Sequence, residues 1–292
     1  MLDCFYTDDG VRALLAQERL LMAPGVFDAL SALLVERAGF PVAFLSGAAL
    51  SFTRFGKPDF GYTTLTQLSD AVRAICERIR IPLLVDADTG FGNALHVQTT
   101  VHELEHAGAA GLALEDQMAP KRCGHMKGKQ VIPVAEMAGK IRAATDARHN
   151  KDTVIIARTD ALGVEGLDSA LDRAEAYFAA GADALFIEGP RSIQEMAAIA
   201  ARFAGRAPLV HNMVEGGGTP VRTAAALQEY GIRLALYPAL LVHFFARQAP
   251  VLLKQLAVDG STDAFRAELH DLDDMNRLLG AKDLLRAARR YA

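Results

Sequence analysis

Eight short apolar runs, separated by segments of helical periodicity, limit what this chain can fold into. They lie near residues 21–26, 42–45, 83–85, 111–114, 153–157, 184–187, 209–211 and 234–236. The runs are apolar at successive positions, the pattern of strands buried on both faces of a parallel sheet. Most are followed by a stretch in which apolar residues recur every three or four positions. Strand alternating with helix predicts an α/β fold, and eight such units predict a closed (β/α)8 TIM barrel. A near-repeat supports this reading. The stretches from Ala107 to Glu115 and from Ala180 to Glu188 each pass from a helix end through glycine into a buried strand that ends in a glutamate.

The 292 residues exceed the roughly 250 of an ordinary barrel, and no break in composition marks a second domain. The expected organisation is a single barrel domain over 1–292. Within it, residues 1–20 supply an opening amphipathic helix, from about Asp8 to Leu20, and residues 259–292 a C-terminal helical extension. After Tyr237-Pro238 an apolar helix runs to about Val258, and residues 262–292 add two further helical segments that eight barrel units do not need. Those segments are expected to pack on a partner subunit. Hydrophobic residues make up 51% of the chain, enough for a sizeable core, and the net charge of −4 offers no footing for nucleic acid or a membrane surface. No apolar run approaches a membrane span, and the acidic stretch Met1–Gly10 lacks the basic and apolar regions of a signal peptide. Cysteines at 4, 76 and 123 form neither a ligand spacing nor an even framework, so the expectation is free thiols in a reducing cytoplasm.

Within this frame, the stretch Lys121-Arg122-Cys123-Gly124-His125 stands out. Cations beside a thiol stabilise the thiolate, so this is the surrounding of a reactive cysteine. A buried small hydrophobe is the competing reading for Cys123, but three cationic or titratable neighbours are not expected to be buried together. Gly124 through Gln130, with two glycines and no apolar periodicity, reads as a mobile loop able to close over a substrate and exclude water. Asp86, Asp88, Glu115, Arg158 and Glu188 fall at the C-terminal ends of predicted strands, where barrel active sites are built. One such acid alone is as readily a helix cap. Several converging acids repel each other unless a cation neutralises them, and an all-oxygen set suits Mg²⁺ or Mn²⁺ rather than zinc. Arg158 has the planar fork that matches a carboxylate, unless Asp160 or a neighbouring acid occupies it. Ser46-Gly47-Ala48 is either a small-residue turn that lets backbone N–H groups approach an anion or simply a tight turn. Gly216-Gly217-Gly218 lacks the lysine and hydroxyl residue of a phosphate loop. The motif His102-Glu103-Leu104-Glu105-His106 matches a zinc-protease pattern, but Val97, Val101, Leu104 and Gly108 would face the barrel and leave both histidines on the flank or outside.

The chain resembles the isocitrate lyase and phosphoenolpyruvate mutase superfamily, and within it the 2-methylisocitrate and 2,3-dimethylmalate lyases. The resemblance is carried by Leu45-Ser46-Gly47, Pro58-Asp59, Val85 to Gly92, Glu115-Asp116-Gln117, Lys121 to His125, Ile156 to Asp160, Phe186-Ile187-Glu188, Asn212 to Glu215 and Thr219-Pro220, in the family's order. It implies a Mg²⁺-dependent carbon–carbon lyase acting on a 2-hydroxy di- or tricarboxylate to give pyruvate and a second carboxylate. It implies direct metal ligation by Asp88, with Asp86, Asp59 and Glu115 near the ion through waters. It places Cys123 as the acid that protonates carbon and Glu188 as the group that handles the hydroxyl proton. Arg158, Asn212 and Thr219 would bind carboxylates, joined by Gly124 and His125. Ser46, Gly47, Ala48 and Glu215 belong to the same substrate site, and Phe186, Leu236 and Pro238 would line an apolar pocket for a methyl group. The resemblance also implies a homodimer or homotetramer in which C-terminal helices are exchanged between subunits.

Met213 to Thr219 carries glycines where methylisocitrate lyases usually have a Phe-Gly pair, and is nearer to dimethylmalate lyases. Competing enzyme readings are a phosphoenolpyruvate or carboxyphosphonoenolpyruvate mutase and an oxaloacetate hydrolase. A competing reading of another class is an idle barrel that serves as an assembly partner.

Overall fold

The computed structural model describes residues 10–122, 124 and 128–291. Two compact units divide the chain, one ending at Val242 and the other beginning at His243.

The first unit is a closed barrel of eight parallel strands in sequential order. It opens with helix α1 (Val11–Ala16), strand β1 (Leu21–Val26), α2 (Ala29–Arg37), β2 (Ala43–Leu45), α3 (Gly47–Phe55) and α4 (Leu65–Cys76). Next come β3 (Leu83–Asp86), α5 (Ala94–Ala107), β4 (Gly111–Glu115), α6 (Val134–Ala147), β5 (Val154–Thr159) and α7 (Leu167–Ala179). The barrel closes with β6 (Ala184–Ile187), α8 (Ile193–Phe203), β7 (Leu209–Asn212), α9 (Ala224–Glu229) and β8 (Ile232–Tyr237), and β8 pairs with β1. Each predicted strand is present, because a run that is apolar on both faces has no stable place except between a lumen and a ring of helices. The opening helix is shorter than the periodicity predicts. At Gln17 the backbone turns extended, with φ −70° and ψ 150°, and the chain enters β1.

Side-chain alternation sorts the core into two layers. Leu21, Ala23, Val42, Phe44, Leu84, Ala113, Ile156, Ala184, Phe186, Val210, Leu234 and Leu236 form one buried cluster, the filling of the lumen. Val11, Leu14 and Leu15 of α1 belong to the same cluster, so the opening helix packs on that filling. The alternate strand residues, among them Leu45, Val85, Leu112, Leu114, Ala157, Leu185 and Leu209, pack against helix residues such as Val101, Met137, Tyr177 and Phe203. Advancing two residues from Phe44, Leu84, Ala113, Ile156, Phe186, Val210 and Leu236 keeps the lumen-facing parity. The positions reached are Ser46, Asp86, Glu115, Arg158, Glu188, Asn212 and Pro238. The predicted site is therefore the uppermost inward layer of the barrel. At the same level Gly25 of β1 admits no side chain, since a Cβ there would run into the Pro238 carbonyl.

The second unit contains most of α10 (Leu240–Asp259), a 3-10 turn at Asp263–Glu268, α11 (Leu272–Leu279) and α12 (Ala281–Ala288). The extension thus has three short segments where the sequence suggests two. Phe244, Phe245, Leu253, Val258, Leu272, Leu284 and Leu285 are exposed in it. Among the described residues no helix is long and apolar enough to cross a membrane.

Candidate active site

The loop after β3 turns back over the barrel mouth through two non-glycine residues of positive φ, Asp88 at 49° and Phe91 at 58°. Such backbone costs on the order of 1 kcal/mol and is retained where the surroundings over-determine it. Asp86 helps to do so. One of its oxygens accepts the N–H of Asp88 at 3.3 Å and the other the N–H of Gly47 at 3.3 Å. Gly47 is the residue that fits, because a Cβ there would lie 3.1 Å from Asp86 Oδ2 and 3.3 Å from Asp88 Oδ1. Strand β2 and the β3 loop are in this way drawn together at one point.

Lys121 enters this cluster from the loop after β4. Its ammonium lies 2.8 Å from Asp59 and 2.6 Å from Asp88 Oδ1. The side chain is 6% exposed while Arg122 is exposed, so these two cations are not buried together. The reason for its burial is electrostatic: a buried ammonium is tolerated only against carboxylates, and four acids act on it, Asp88, Asp86, Glu115 and Asp59. Burial alone would lower its pKa, but Asp88, Asp86 and Glu115 carry it well above the ordinary lysine value. Arg122 points the other way and is exposed. Its backbone is bracketed by the Gln117 side chain, which donates to the Arg122 carbonyl at 2.8 Å and accepts its N–H at 2.9 Å.

Arg158 anchors the other half of the mouth. Its guanidinium contacts Asp160 at 2.9 and 3.2 Å, Glu188 at 3.3 Å and Glu115 at 3.4 Å, with the Phe186 ring 5.1 Å away. Of the two readings of Arg158, the ion pair is the one the structure shows, with Asp160 and the neighbouring acids Glu115 and Glu188 all on the guanidinium. Asn212 donates to Glu188 at 3.1 Å. Gly124 packs directly over Arg158 and Glu188. A Cβ there would overlap the guanidinium and lie 2.9 Å from the Glu188 side chain. Lys129 donates both to the Gly124 carbonyl and to Asp160, which fixes that glycine in place.

A cavity of about 360 Å³ opens beside this pair. Its lining includes Gly124, Glu188, Arg191, His211, Gly216–Gly218 and Thr219, with Asn212 at the wall. His211 Nε2 and Thr219 Oγ1 are 2.9 Å apart. Phe186, Leu236 and Pro238 do not line this cavity, and Glu215 is exposed beside it, acting on the Tyr237 phenol. Ser46 uses its hydroxyl to cap α3 by accepting the Ala49 N–H at 3.2 Å, and Ala48 lies in the first turn of that helix. Cys123 and His125 lie outside the described residues, as do Met126 and Lys127 of the loop predicted as a lid.

Burial raises the Asp88 carboxyl to about 6, against the pull of Lys121. Burial also raises Glu115 well above the ordinary value, with Arg158 and Lys121 opposing. The Glu115 Oε1 atom is buried and accepts no hydrogen bond, whereas Asp88 Oδ1 faces the Lys121 ammonium at 2.6 Å. Among the described residues no three acids, cysteines or histidines converge closely enough to chelate an ion. The donor set nevertheless fits a hard divalent cation that keeps its waters. All donors are oxygens, and Glu115 Oε1 lacks a donor that a bound water would supply. The histidine pair on α5 plays no part. Val97, Val101 and Leu104 face the core as predicted, His102 stacks on His149 at 4.6 Å, and His106 is exposed.

The family model for phosphoenolpyruvate phosphomutase matches residues 11–256. The chain belongs to the phosphoenolpyruvate mutase/isocitrate lyase superfamily. It is 39% identical to a 2,3-dimethylmalate lyase of Eubacterium barkeri, covering 97% of each chain. It is 41% identical to a chloroplastic carboxyvinyl-carboxyphosphonate phosphorylmutase of Arabidopsis thaliana, over 96% of this chain and 83% of that one. It is 40% identical to a 2-methylisocitrate lyase of Aeropyrum pernix, over 94% and 87%. Among solved structures, a 2,3-dimethylmalate lyase matches with a TM-score of 0.90 at 32% identity, over 96% and 93%. A phosphonopyruvate hydrolase in complex with oxalate and Mg²⁺ matches at 0.87 and 31% identity, over 96% and 97%. The family's members thus include lyases and mutases, and one of them holds Mg²⁺.

Residue type and strand end together mark the acids and Arg158 in the sequence. Lys121 as a member of the acid cluster, and Lys129, Arg191 and His211, are visible only in the structure. A lysine close in sequence to several strand-end acids was the available signal for Lys121. Nothing local marked the other three.

Proposed function

We propose that this protein is a Mg²⁺-dependent carbon–carbon lyase that cleaves a 2-hydroxy acid of the 2-methylisocitrate or 2,3-dimethylmalate type into pyruvate and a second carboxylate. The observation that carries the reading is the seating of Gly124 against Arg158 and Glu188. It sets Gly124, the chain neighbour of Cys123, against a cation suited to a carboxylate and a buried acid, and a retro-aldol cleavage needs a carbon acid, such a cation and such an acid. The kinship with lyases supports the same reading.

Asp88 would ligate the ion, with Asp86, Asp59 and Glu115 holding its waters. When bound, Mg²⁺ would supply Lewis-acid stabilisation of the substrate alkoxide and of the keto acid. Glu188 accepts the hydroxyl proton as the carbon–oxygen bond becomes a carbonyl. The carbon–carbon bond breaks, and its electron pair passes into the fragment that keeps the neighbouring carboxylate. Arg158 and Asn212 hold that carboxylate as negative charge develops on it. Cys123, next in the chain to Gly124, gives its proton to the new carbanion carbon. The thiol favours a lyase over the mutase reading, which transfers phosphorus and has no carbanion to protonate.

Incubation with Mg²⁺ and a panel of 2-hydroxy acids in deuterated water tests this. Pyruvate should form, and the other product should carry one deuterium at the carbon of the broken bond. Cys123→Ser should lose roughly 10²–10⁴-fold in turnover. Phosphonate or phosphoenolpyruvate turnover without pyruvate release would establish the mutase reading instead. We further read the exposed apolar residues of the second unit as a surface for another copy of this chain. Leu284→Asp with Leu285→Asp should then sediment as a smaller species than the parent.

A further inference from the structure

Beyond Glu188 the chain continues through Gly189 and Pro190 to Arg191, and the start of α8 fixes that arginine's backbone. Ser192 Oγ accepts the Glu195 N–H at 3.1 Å, and Glu195 Oε2 accepts the N–H of Arg191 at 2.6 Å and of Ser192 at 3.1 Å. From this capped backbone the Arg191 side chain runs across Gly218. A Cβ placed on Gly218 would lie 3.5 Å from Arg191 Cγ and 3.8 Å from its Nε. Arg191 thereby becomes part of the wall of the cavity of about 360 Å³ beside the catalytic pair.

Charge in that cavity is one-sided. Glu188, the acid in its lining, is engaged by Arg158 at 3.3 Å and by Asn212 at 3.1 Å. His211 and Thr219 contact each other. Among the described residues Arg191 is the one lysine or arginine in that lining, and it makes no ion pair with them. A guanidinium beside a cavity, with no carboxylate partner among the described residues, matches a carboxylate brought by a ligand, since its fork meets two oxygens at once. The carboxylate adjacent to the broken bond already has Arg158. Arg191 therefore serves a different one.

Resting on the lyase reading above, we propose that Arg191 is a specificity-determining residue that binds a third carboxylate, carried by the fragment that does not become pyruvate. The substrate is then a 2-hydroxy tricarboxylate, and its second product is a dicarboxylate. Bond-breaking itself is unchanged. The additional carboxylate takes no part in it and serves to anchor the leaving fragment along Gly216–Gly218. The chemistry distinguishes a 2-methylisocitrate-like substrate, which has this group, from a 2,3-dimethylmalate-like one, which has a methyl in the corresponding region.

The experiment compares kcat/KM for 2-methylisocitrate and 2,3-dimethylmalate in the parent, Arg191→Gln and Arg191→Lys, all with Mg²⁺. A charge-assisted hydrogen-bonded pair corresponds to roughly a tenfold to hundredfold effect. Arg191→Gln should lower kcat/KM for the tricarboxylate by that factor more than for the dicarboxylate, and Arg191→Lys should recover part of the difference. An equal fall on both acids, or no fall on either, overturns the assignment while the lyase reading stands. If neither acid is cleaved, calorimetric titration of succinate in the presence of Mg²⁺ and oxalate carries the test, with oxalate standing in for the pyruvate enolate. Succinate should bind the parent about tenfold or more tightly than Arg191→Gln. Equal affinity, or no binding to either, overturns the Arg191 assignment. Failure of oxalate itself to bind with Mg²⁺ overturns the lyase reading.

Discussion

Two neighbouring carboxylates at the end of β4 have opposite fates. Glu115 faces the lumen, and Asp116 faces the helices. Both are buried, at 3% and 0% exposure, and burial raises the pKa of both. Asp116 accepts from Thr159 Oγ1 at 2.7 Å, Tyr177 Oη at 2.8 Å, the Asp160 N–H at 2.9 Å and Arg173 at 3.3 Å. Its oxygens are fully used in tying β4 and β5 to α7. Glu115 has Arg158 at 3.4 Å, Lys121 farther off, and an oxygen that accepts nothing. The lesson is that burial alone does not mark a functional acid. A buried acid whose acceptors are filled holds the scaffold, whereas one with an open acceptor is set for a ligand.

The largest expected effect breaks the scaffold side. Asp116→Ala leaves Arg173 and the Tyr177 hydroxyl without their common acceptor. Removing one partner of a buried pair costs roughly 3–5 kcal/mol, which the midpoint of urea unfolding should register. A midpoint near the parent's would dissolve the comparison. On the lumen side, Glu115→Gln should keep or raise that midpoint, because it removes a buried charge. Turnover should fall by on the order of 10²-fold if the acid orients metal-bound water, since displacing outer-shell partners costs about 10–100-fold. A variant that unfolds yet stays active per folded molecule would reverse the two roles.

A third, smaller effect is pH-dependent. Asp88 in the folded protein is raised to about 6, so its proton competes with a divalent cation below that pH. Apparent Mn²⁺ affinity should weaken by up to about tenfold per pH unit from 6 downward and level off above it. The linked stability effect has the sign of a raised carboxyl. The metal-free fold is relieved of a buried charge at low pH, and this contribution is lost as pH rises from the unfolded value of 3.8 through about 6. Asp88→Asn should abolish this pH dependence, and persistence of the slope would assign it to another group. The smallest effect sharpens the scaffold side. Tyr177→Phe removes one of the Asp116 donors and should cost about 1 kcal/mol without changing KM.

The fold was legible in the sequence because its strands are buried on both faces, so hydrophobic runs and strand boundaries coincide. All eight strands lie within two residues of their expected ends. The acids and Arg158 were legible for a related reason. A polar residue that ends an apolar run stands at the barrel mouth, and two residues beyond a lumen position is again inward. Segments whose structure depends on partners far along the chain were less legible. The opening helix is shortened by its passage into β1, and the extension breaks into three pieces.

Sequence alone established the alternation, the number of strands and the sign and position of the residues at their ends. Local periodicity and residue type suffice for these, since each is a property of a few consecutive positions. Tertiary structure alone decided that Lys121 turns inward to Asp59 and Asp88, that Lys129 secures Gly124 over Arg158, and that Arg191 stands by Gly218. A charged side chain on a loop has no periodicity to follow. Its direction is set by whichever opposite charges and open spaces the closed barrel brings within a few ångströms, and those come from strands and loops distant in sequence.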